Sequence, residues 1–145
     1  MTGPLLLVED HPADVLLIRR AFKKAAIDIP IRAVGDGEEA IAYLSGAGVY
    51  ADRDEYPLPV LVLLDLKLPK KSGFEVLQWL REQPDLRRLP VTVLTSSKES
   101  SDIDRAYEFG ANSYLVKPPA FDNLQELMRR LGLFWAVNEQ PRVSS

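Results

Sequence analysis

Charged and hydroxyl side chains follow four separate apolar runs of this chain. Each run is four or five residues long and is followed at once by groups that can carry chemistry. In chain order these groups are Glu9 and Asp10, Asp65, Thr95 and Ser96, and Lys117. A buried carboxylate without a partner is costly, so Asp65 is expected at the end of its strand and not inside the core.

The residue types at these ends are suited to phosphoryl chemistry. Three carboxylates in one pocket repel each other, and a hard cation such as Mg²⁺, which takes oxygen ligands, would neutralise them. A lysine and a hydroxyl supply the point charge and the hydrogen-bond donor that a phosphoryl group needs. A carboxylate can itself act as a nucleophile and form an aspartyl phosphate, and Asp65 is the candidate.

The apolar runs predict the elements that bring these groups together. A continuous run such as Val60–Leu64 is typical of a strand buried on both faces of a parallel sheet. The predicted strands are Pro4–Val8, Ile29–Val34, Val60–Leu64, Val91–Thr95 and Asn112–Val116. Five strand–helix units in alternation predict a doubly wound α/β fold: a five-stranded parallel sheet between two layers of helices. Ligands bind at the carboxyl edge of such sheets.

Helices are predicted between the strands from apolar spacing and from capping residues. The first helix is predicted to begin at His11–Asp14 and the third at Gly73. The second, fourth and fifth are predicted to span Glu38–Leu44, Ser101–Phe109 and Asp122–Ala136. Asp36 is a candidate N-cap, and Gly110 a candidate C-terminal stop. The glycine- and proline-containing stretch Ser45–Pro59 is interpreted as an extended exposed loop.

Composition narrows the class of protein. The 145 residues suit one domain, here with a core at about 4–138 and a polar tail at 139–145, and no output domain is expected. The net charge of −3 offers no basic field for nucleic acid or anionic lipid. There is no cysteine and a single histidine, which excludes disulfides, thiolate sites and histidine-rich metal sites. No signal peptide or membrane span is seen, and a cytoplasmic location is expected.

Four stretches together resemble the receiver domain of two-component response regulators, a flavodoxin-like fold. Each stretch includes one of the strand ends described above. They are Leu5–Asp10, Leu63–Pro69 with Gly73, Val93–Ser96 and Tyr114–Pro118, in that order along nearly the whole chain. The resemblance implies a protein that accepts a phosphoryl group from a histidine kinase and signals through a change of its surface, and not an enzyme with turnover.

The resemblance also implies a role for each acidic residue. Asp65 matches the phosphoacceptor aspartate. Glu9 and Asp10 match the acidic pair, in which Asp10 binds Mg²⁺ directly and Glu9 acts through water. Asp65 and the backbone carbonyl of Lys67 match the remaining protein ligands of the ion.

The other matched positions concern the response to the phosphoryl group. Lys117 matches the lysine that contacts that group, and Pro118 the proline reached through a cis bond. Thr95 and Tyr114 match the switch pair, in which the hydroxyl turns toward the phosphoryl oxygen and the ring moves inward. The surface that changes is implied to lie at the fourth helix, fifth strand and fifth helix.

A narrower resemblance is to the small regulators that partner bacterial phytochromes. It is based on the Ser45–Pro59 loop, Pro69–Gly73, Asn112–Lys117 and the late pair Phe134 and Trp135. It implies a phytochrome-type histidine kinase as partner. It also implies a homodimer through the fourth helix, fifth strand and fifth helix, including Phe134 and Trp135. No nucleic-acid or membrane partner is implied. Ser72 departs from the Asp or Asn of many receivers, which alters loop polarity and not the chemistry.

Two other functions are weighed against this one. A docking or dimerisation module that takes no phosphate would also have this fold. A phosphatase of the haloacid dehalogenase group would need a second aspartate two residues after Asp65, and Lys67 stands there. Each residue also has an ordinary structural interpretation: Asp65 alone would be a turn residue, Tyr114 a strand aromatic, and His11 an exposed loop residue near the pocket.

Overall fold

The computed structural model describes residues 3–137, with side chains described through residue 131. Five strands alternate with five helices in chain order. The strands are β1 Leu5–Val8, β2 Ile31–Val34, β3 Leu61–Leu64, β4 Val91–Thr95 and β5 Ser113–Val116. The helices are α1 Pro12–Lys24, α2 Gly37–Ser45, α3 Gly73–Glu82, α4 Ser100–Glu108 and α5 Phe121–Val137.

The strands form one parallel sheet in the order β2-β1-β3-β4-β5. This confirms the predicted doubly wound α/β fold, with β1, β3 and β4 in the interior of the sheet. β1 and β3 pair in register, with Leu7 opposite Leu63. β2 begins at Ile31 and not at Ile29 as predicted, because Pro30 between them has no N–H to donate to a ladder.

Successive residues of the central strands point to opposite faces, so each apolar run contributes to two cores. Leu6 and Val8 of β1 pack with α2, α3 and α4, whereas Leu5 and Leu7 pack with α1 and α5. The four residues of β3 are at most 3% exposed. Because helices cover both faces of the sheet, strand residues on both faces are apolar. The strand sequences therefore do not alternate between apolar and polar residues.

Local side chains determine where several helices begin and end. The Asp36 carboxylate accepts a 2.7 Å hydrogen bond from the backbone N–H of Glu39, as predicted for the N-cap of α2. α2 ends at Gly46 in the left-handed conformation, with φ 75°. Gly110, predicted to stop α4, follows Phe109 with φ 105°.

The Ser45–Pro59 segment differs from the extended exposed loop that was expected. It contains a 3₁₀ helix, Gly48–Ala51, and its aromatic rings pack against Tyr43 of α2. The guanidinium of Arg53 donates to the backbone carbonyls of Tyr43 at 2.8 Å and Leu44 at 2.9 Å, at the C-terminal end of α2. Carbonyls in the last turn of a helix carry partial negative charge, and a guanidinium stabilises them, so the contact with Arg53 holds the segment against the domain.

Among residues 3–137, no helix has both the length and the apolar character that crossing a bilayer requires.

The β3–α3 connection returns tightly against the end of β3. The backbone N–H of Gly73 donates to the Leu66 carbonyl at 2.9 Å, and Asp36 at the start of α2 lies 3.7 Å from the ammonium of Lys70. A Cβ at Gly73 would overlap the backbone carbonyl oxygen of Asp65. Gly73 thus lets α3 begin directly against the backbone that carries Asp65.

We expect Gly73→Ala to lower the free energy of unfolding by about 1–3 kcal/mol, because the added methyl group meets backbone that must shift. Gly35→Ala is the matched control, since a Cβ there meets nothing within 4 Å. The control should change stability by less than about 0.5 kcal/mol. Urea denaturation measures both, and equal stabilities of the two variants would contradict the close approach at Gly73.

Candidate functional site

The carboxyl ends of four strands meet at one edge of the sheet, where the chemistry-bearing residues were predicted to gather. The N–H of Asp65 donates to the carbonyl of Val8 at 3.1 Å, so the end of β3 lies directly beside the acidic pair that follows β1. On the other side, Lys117 donates its N–H to the carbonyl of Thr95 at 2.7 Å. The parallel register therefore brings all four predicted groups to one pocket.

Asp65 is 6% exposed, and its carboxylate is held by its own loop. Its Oδ1 accepts a 2.7 Å hydrogen bond from the N–H of Leu66, and the N–H of Lys67 lies 3.5 Å away. Its Oδ2 lies 3.6 Å from the ammonium of Lys117. One oxygen is thus oriented by the backbone, while the other faces the charged side of the pocket.

Lys117 joins three carboxylates from different parts of the chain. Its ammonium donates to Glu9 and, at 3.2 Å, to Asp14, and it lies near Asp65 as described. Burial lowers the pKa of Lys117, but the hydrogen bond to Glu9 and the charges of Asp65, Glu9 and Asp14 outweigh it. The net effect is a pKa above the ordinary lysine value, so the side chain is a cation at neutral pH.

The acidic cluster next to Lys117 has the composition of a cation site. Glu9, Asp10, His11 and Asp65 each offer one ligand atom, and these atoms lie within 4.8 Å of one another. Oδ1 of Asp10 is buried without a hydrogen-bond partner. An orphaned carboxylate oxygen among other carboxylates fits a divalent cation with oxygen ligands. Glu9, Asp10 and Asp65, three of the residues predicted to hold a metal, are therefore suited to it.

His11 is exposed at the mouth of this cluster, as expected. Its side chain is 65% exposed, and Nδ1 lies 3.0 Å from Glu9 and 3.3 Å from Asp10. The hydrogen bond to Glu9 and the negative charge of Asp10 raise the pKa of His11 above its usual range.

The predicted switch residues, Thr95 and Tyr114, both contact the backbone of Ser97. Thr95 is 1% exposed, and its hydroxyl lies 3.5 Å from the N–H of Ser97. The Tyr114 hydroxyl donates to the carbonyl of Ser97 at 2.9 Å, and its ring packs partly buried against the core. Burial raises the pKa of Tyr114, which keeps the phenol protonated and able to donate. Both side chains therefore contact the same loop.

Two predictions about this region have different outcomes. The expected cis bond before Pro118 is wrong for this structure, because residues 3–137 contain no cis peptide bond; the trans form is also the commoner one for bonds that precede proline. The side chains of Phe134 and Trp135, predicted to line a dimer surface, lie outside the described residues.

Sequence reasoning did not assign a role to Asp14 or to the carbonyl of Ser97. Asp14 is the acidic residue in the first turn of α1, the helix that directly follows the acidic pair. That signal was available in the sequence. The Ser97 carbonyl had none, because a backbone group has no sequence signature.

A cleft of about 330 Å³ opens beside Asp65 and leads to solvent. Its polar wall includes His11, Asp14, Lys67 and Lys117, and its apolar wall is formed by α1 and the start of α5. Lys67 itself is exposed. The cleft gives a small molecule a path to the Asp65 carboxylate.

Comparison with known proteins agrees with this geometry. The family model for the response regulator receiver domain matches residues 5–129. Response regulator Rcp1 of Synechocystis sp. is 40% identical over 131 residues, which cover 90% of this chain and 87% of Rcp1.

Two solved structures of receiver proteins superpose over nearly the whole chain. The phosphorylated cyanobacterial phytochrome response regulator RcpA has a TM-score of 0.89 and 36% identity, with 98% of this chain and 100% of RcpA covered. The Mn²⁺-bound form of Rcp1 has a TM-score of 0.87 and 38% identity, with 97% and 100% covered.

We expect Asp10→Asn to stabilise the cation-free protein by roughly 0.5–2 kcal/mol, because it removes a repelling charge from a site shaped for function. The same change should abolish stabilisation by Mg²⁺, which for the wild type is about 2.7 kcal/mol at a hundred times the dissociation constant. Thermal unfolding with and without Mg²⁺ measures both effects. Asp104→Asn, on the exposed side of α4, is the control and should behave like the wild type. An equal gain from Mg²⁺ in wild type and Asp10→Asn would contradict the assignment.

Proposed function

The chain belongs to the response regulator receiver family, and on that premise we propose that Asp65 accepts a phosphoryl group from a histidine kinase. The observation that carries the proposal is the Asp65 carboxylate itself, with one oxygen oriented by Leu66 and the other 3.6 Å from the Lys117 ammonium. A free carboxylate oxygen beside a cation, at the end of an open cleft, is suited to in-line attack on phosphorus.

The side chains have distinct roles in this transfer. A bond forms between Oδ2 of Asp65 and phosphorus while the bond from phosphorus to the donor nitrogen breaks, and that nitrogen keeps the electron pair. The ammonium of Lys117 neutralises negative charge on the phosphoryl oxygens. Glu9 and Asp14 hold that ammonium in position through their hydrogen bonds.

Mg²⁺ is the proposed cofactor of the transfer. Asp10, Asp65 and the backbone carbonyl of Lys67 would hold it directly, and Glu9 through water. The orphaned Oδ1 of Asp10 supports this, and so does the Mn²⁺ bound in the structure of the relative Rcp1. The ion supplies charge that offsets the carboxylates and the incoming phosphoryl oxygens.

Phosphorylation is proposed to change the surface at α4, β5 and α5. The Thr95 hydroxyl would turn to donate to a phosphoryl oxygen and would leave its position beside Ser97. The Ser97 carbonyl holds the Tyr114 hydroxyl at 2.9 Å, so a shift of this loop frees the ring to move inward. The chain then acts as a phosphorylated signalling protein and not as an enzyme with turnover.

The proposed partners are a histidine kinase of the phytochrome type and a second copy of the chain. The kinase class is supported by RcpA, a phytochrome response regulator similar over 98% of this chain. The homodimer would use α4, β5 and α5, including Phe134 and Trp135. β5 is an edge strand with four half-exposed residues, so a partner surface is available there.

A docking module that takes no phosphate is the second candidate, because a complete site can be idle. A phosphatase is the weaker alternative, since Lys67 stands where the general-acid aspartate is needed and its side chain is exposed.

Incubation with acetyl phosphate and Mg²⁺ tests the phosphoacceptor role. Intact-protein mass spectrometry should show one phosphoryl adduct on the wild type, and the adduct should require Mg²⁺ because the pocket is otherwise too negative. Asp65→Asn keeps the shape of the side chain and should show none. Failure of the wild type to label, with cation binding intact, would favour the docking module.

Beryllofluoride, a mimic of the acyl phosphate, tests the switch. We expect its addition with Mg²⁺ to shift the NMR signals of Ser97 and of the Tyr114 ring, because the loop they share moves. Thr95→Ala removes the hydroxyl and should reduce these shifts several-fold while leaving beryllofluoride bound. Shifts of equal size in Thr95→Ala and wild type would contradict the role of Thr95.

Light scattering tests the homodimer. The wild type should have the mass of two chains, and Trp135→Ala should reduce it toward that of one chain, because aromatic anchors dominate interface energies. Tyr107→Ala, which removes a 48% exposed ring on α4, tests whether the surface extends to that helix. A monomeric wild type, or a dimer unchanged by Trp135→Ala, would count against the proposed surface.

A further inference from the structure

The side chain of His11 is part of the acidic cluster, yet the proposed function assigns it no role. Its Nδ1 lies 3.0 Å from Glu9, 3.3 Å from Asp10 and 3.9 Å from Asp14. It is also one of the four residues whose ligand atoms lie within 4.8 Å of one another, with Glu9, Asp10 and Asp65. The chain has no other histidine.

We propose that His11 contributes Nδ1 as a nitrogen ligand to the cation site, so that the pocket selects first-row transition metals over Mg²⁺. A proton on Nδ1 is released to solvent when the ion binds, and the nitrogen lone pair that held it forms the bond to the metal. The inference rests on the proposed function, because it concerns the same cation site. Imidazole binds cobalt, nickel and zinc well, whereas Mg²⁺ prefers oxygen ligands and retains several waters. A site of carboxylates with one imidazole therefore discriminates between the two kinds of ion.

The local backbone directs the ring into the pocket. His11 is the N-cap residue of α1 in an extended conformation, and Pro12 follows it at the first helical position. The backbone N–H of His11 donates to Oε2 of Glu9 at 3.2 Å, and Nδ1 contacts the same oxygen. Two contacts to one carboxylate keep Nδ1, and not the outer edge of the ring, on the side of Asp10.

The ring can also adjust without disturbing the core. It is 65% exposed, so rotation about its own side-chain bonds brings Nδ1 toward an ion at the unpartnered Oδ1 of Asp10. That oxygen is the natural first ligand, because within the described residues it accepts no hydrogen bond, and Nδ1 of His11 already lies 3.3 Å from it. The imidazole and this carboxylate are adjacent in sequence and face the same space.

The alternative is that His11 is a counter-ion to the carboxylates. The two roles have opposite consequences. A counter-ion competes with every cation, so its removal strengthens the binding of Mg²⁺ and of transition metals alike. A ligand strengthens the binding of transition metals, so its removal weakens their binding and leaves Mg²⁺ binding nearly unchanged.

The test uses the full chain without an affinity tag, so that His11 is the sole source of imidazole. Calorimetric titration with Co²⁺ and with Mg²⁺ compares wild type with His11→Asn, since asparagine is also a good N-cap residue and preserves α1. We expect the dissociation constant for Co²⁺ to rise at least about tenfold, and that for Mg²⁺ to change less than about threefold.

Proton NMR of the cobalt-loaded wild type gives an independent readout. A directly coordinated imidazole shows strongly hyperfine-shifted ring C–H protons, which do not exchange with water although the ring is 65% exposed. With one histidine in the chain, those signals can arise from His11 alone. Their presence in the wild type and absence from His11→Asn support the proposal. Absence of the signals from both proteins overturns the proposal. So does a His11→Asn variant whose affinities for Co²⁺ and Mg²⁺ change equally, or both rise.

Asp10→Asn separates this inference from the proposed function. One outcome is that Asp10→Asn weakens the binding of Co²⁺ and Mg²⁺ while His11→Asn changes the binding of neither ion. In that case the cation site is supported and His11 is not a ligand. If Asp10→Asn also leaves both ions bound as in the wild type, the cation does not bind at this cluster, and the metal part of the proposed function fails together with the inference.

Discussion

The balance of charge at the carboxyl edge of the sheet is the constraint on which the rest of the site depends. Glu9 is 2% exposed, and it is next to Lys117, which itself is largely buried. Removing one partner of such a buried pair typically costs about 3–5 kcal/mol, since a buried charge then loses the group that compensated it. Lys117 also lies 3.6 Å from Asp65 and 3.2 Å from Asp14. One ammonium therefore holds together carboxylates from β1, α1 and β3, and the end of β5 is fixed where it can supply that charge.

This arrangement is possible because the backbone around Asp65 is compact. Gly73 lets α3 begin against the carbonyl of Asp65, and Gly37 lets the start of α2 approach the backbone of Lys71 in the same loop. The loop then turns its N–H groups toward Oδ1 of Asp65, at 2.7 Å from Leu66. One carboxylate oxygen thus accepts a backbone hydrogen bond, and the other faces the ammonium of Lys117. Packing of two helices against one loop in this way holds the backbone that orients the Asp65 carboxylate.

The sequence predicts this architecture because its signals are local. A continuous apolar run such as Leu61–Leu64 is stable as a strand that helices cover on both faces. The charged groups that follow such a strand must then lie at the edge of the sheet. What could not be predicted depends on contacts between distant segments. The contact of Asp14 with Lys117 joins residues 103 positions apart. The fold of the segment after α2 depends on whether Arg53 reaches the carbonyls of Tyr43 and Leu44 at the end of that helix.

In the proposed switch, a charge added at the site affects the distant surface of α4 and β5 through Ser97. Adding a phosphoryl group brings more negative charge into a site where Lys117 already balances three carboxylates, so further donors must be recruited. The Thr95 hydroxyl is the nearest unused donor on β4, and its 3.5 Å contact with the N–H of Ser97 is long enough to give up at little cost. Ser97 also holds Tyr114 through its carbonyl and Asp102 of α4 through its hydroxyl at 2.6 Å. Ser97 thus contacts Thr95, β5 and α4 at once, which is the connection that the proposed switch requires.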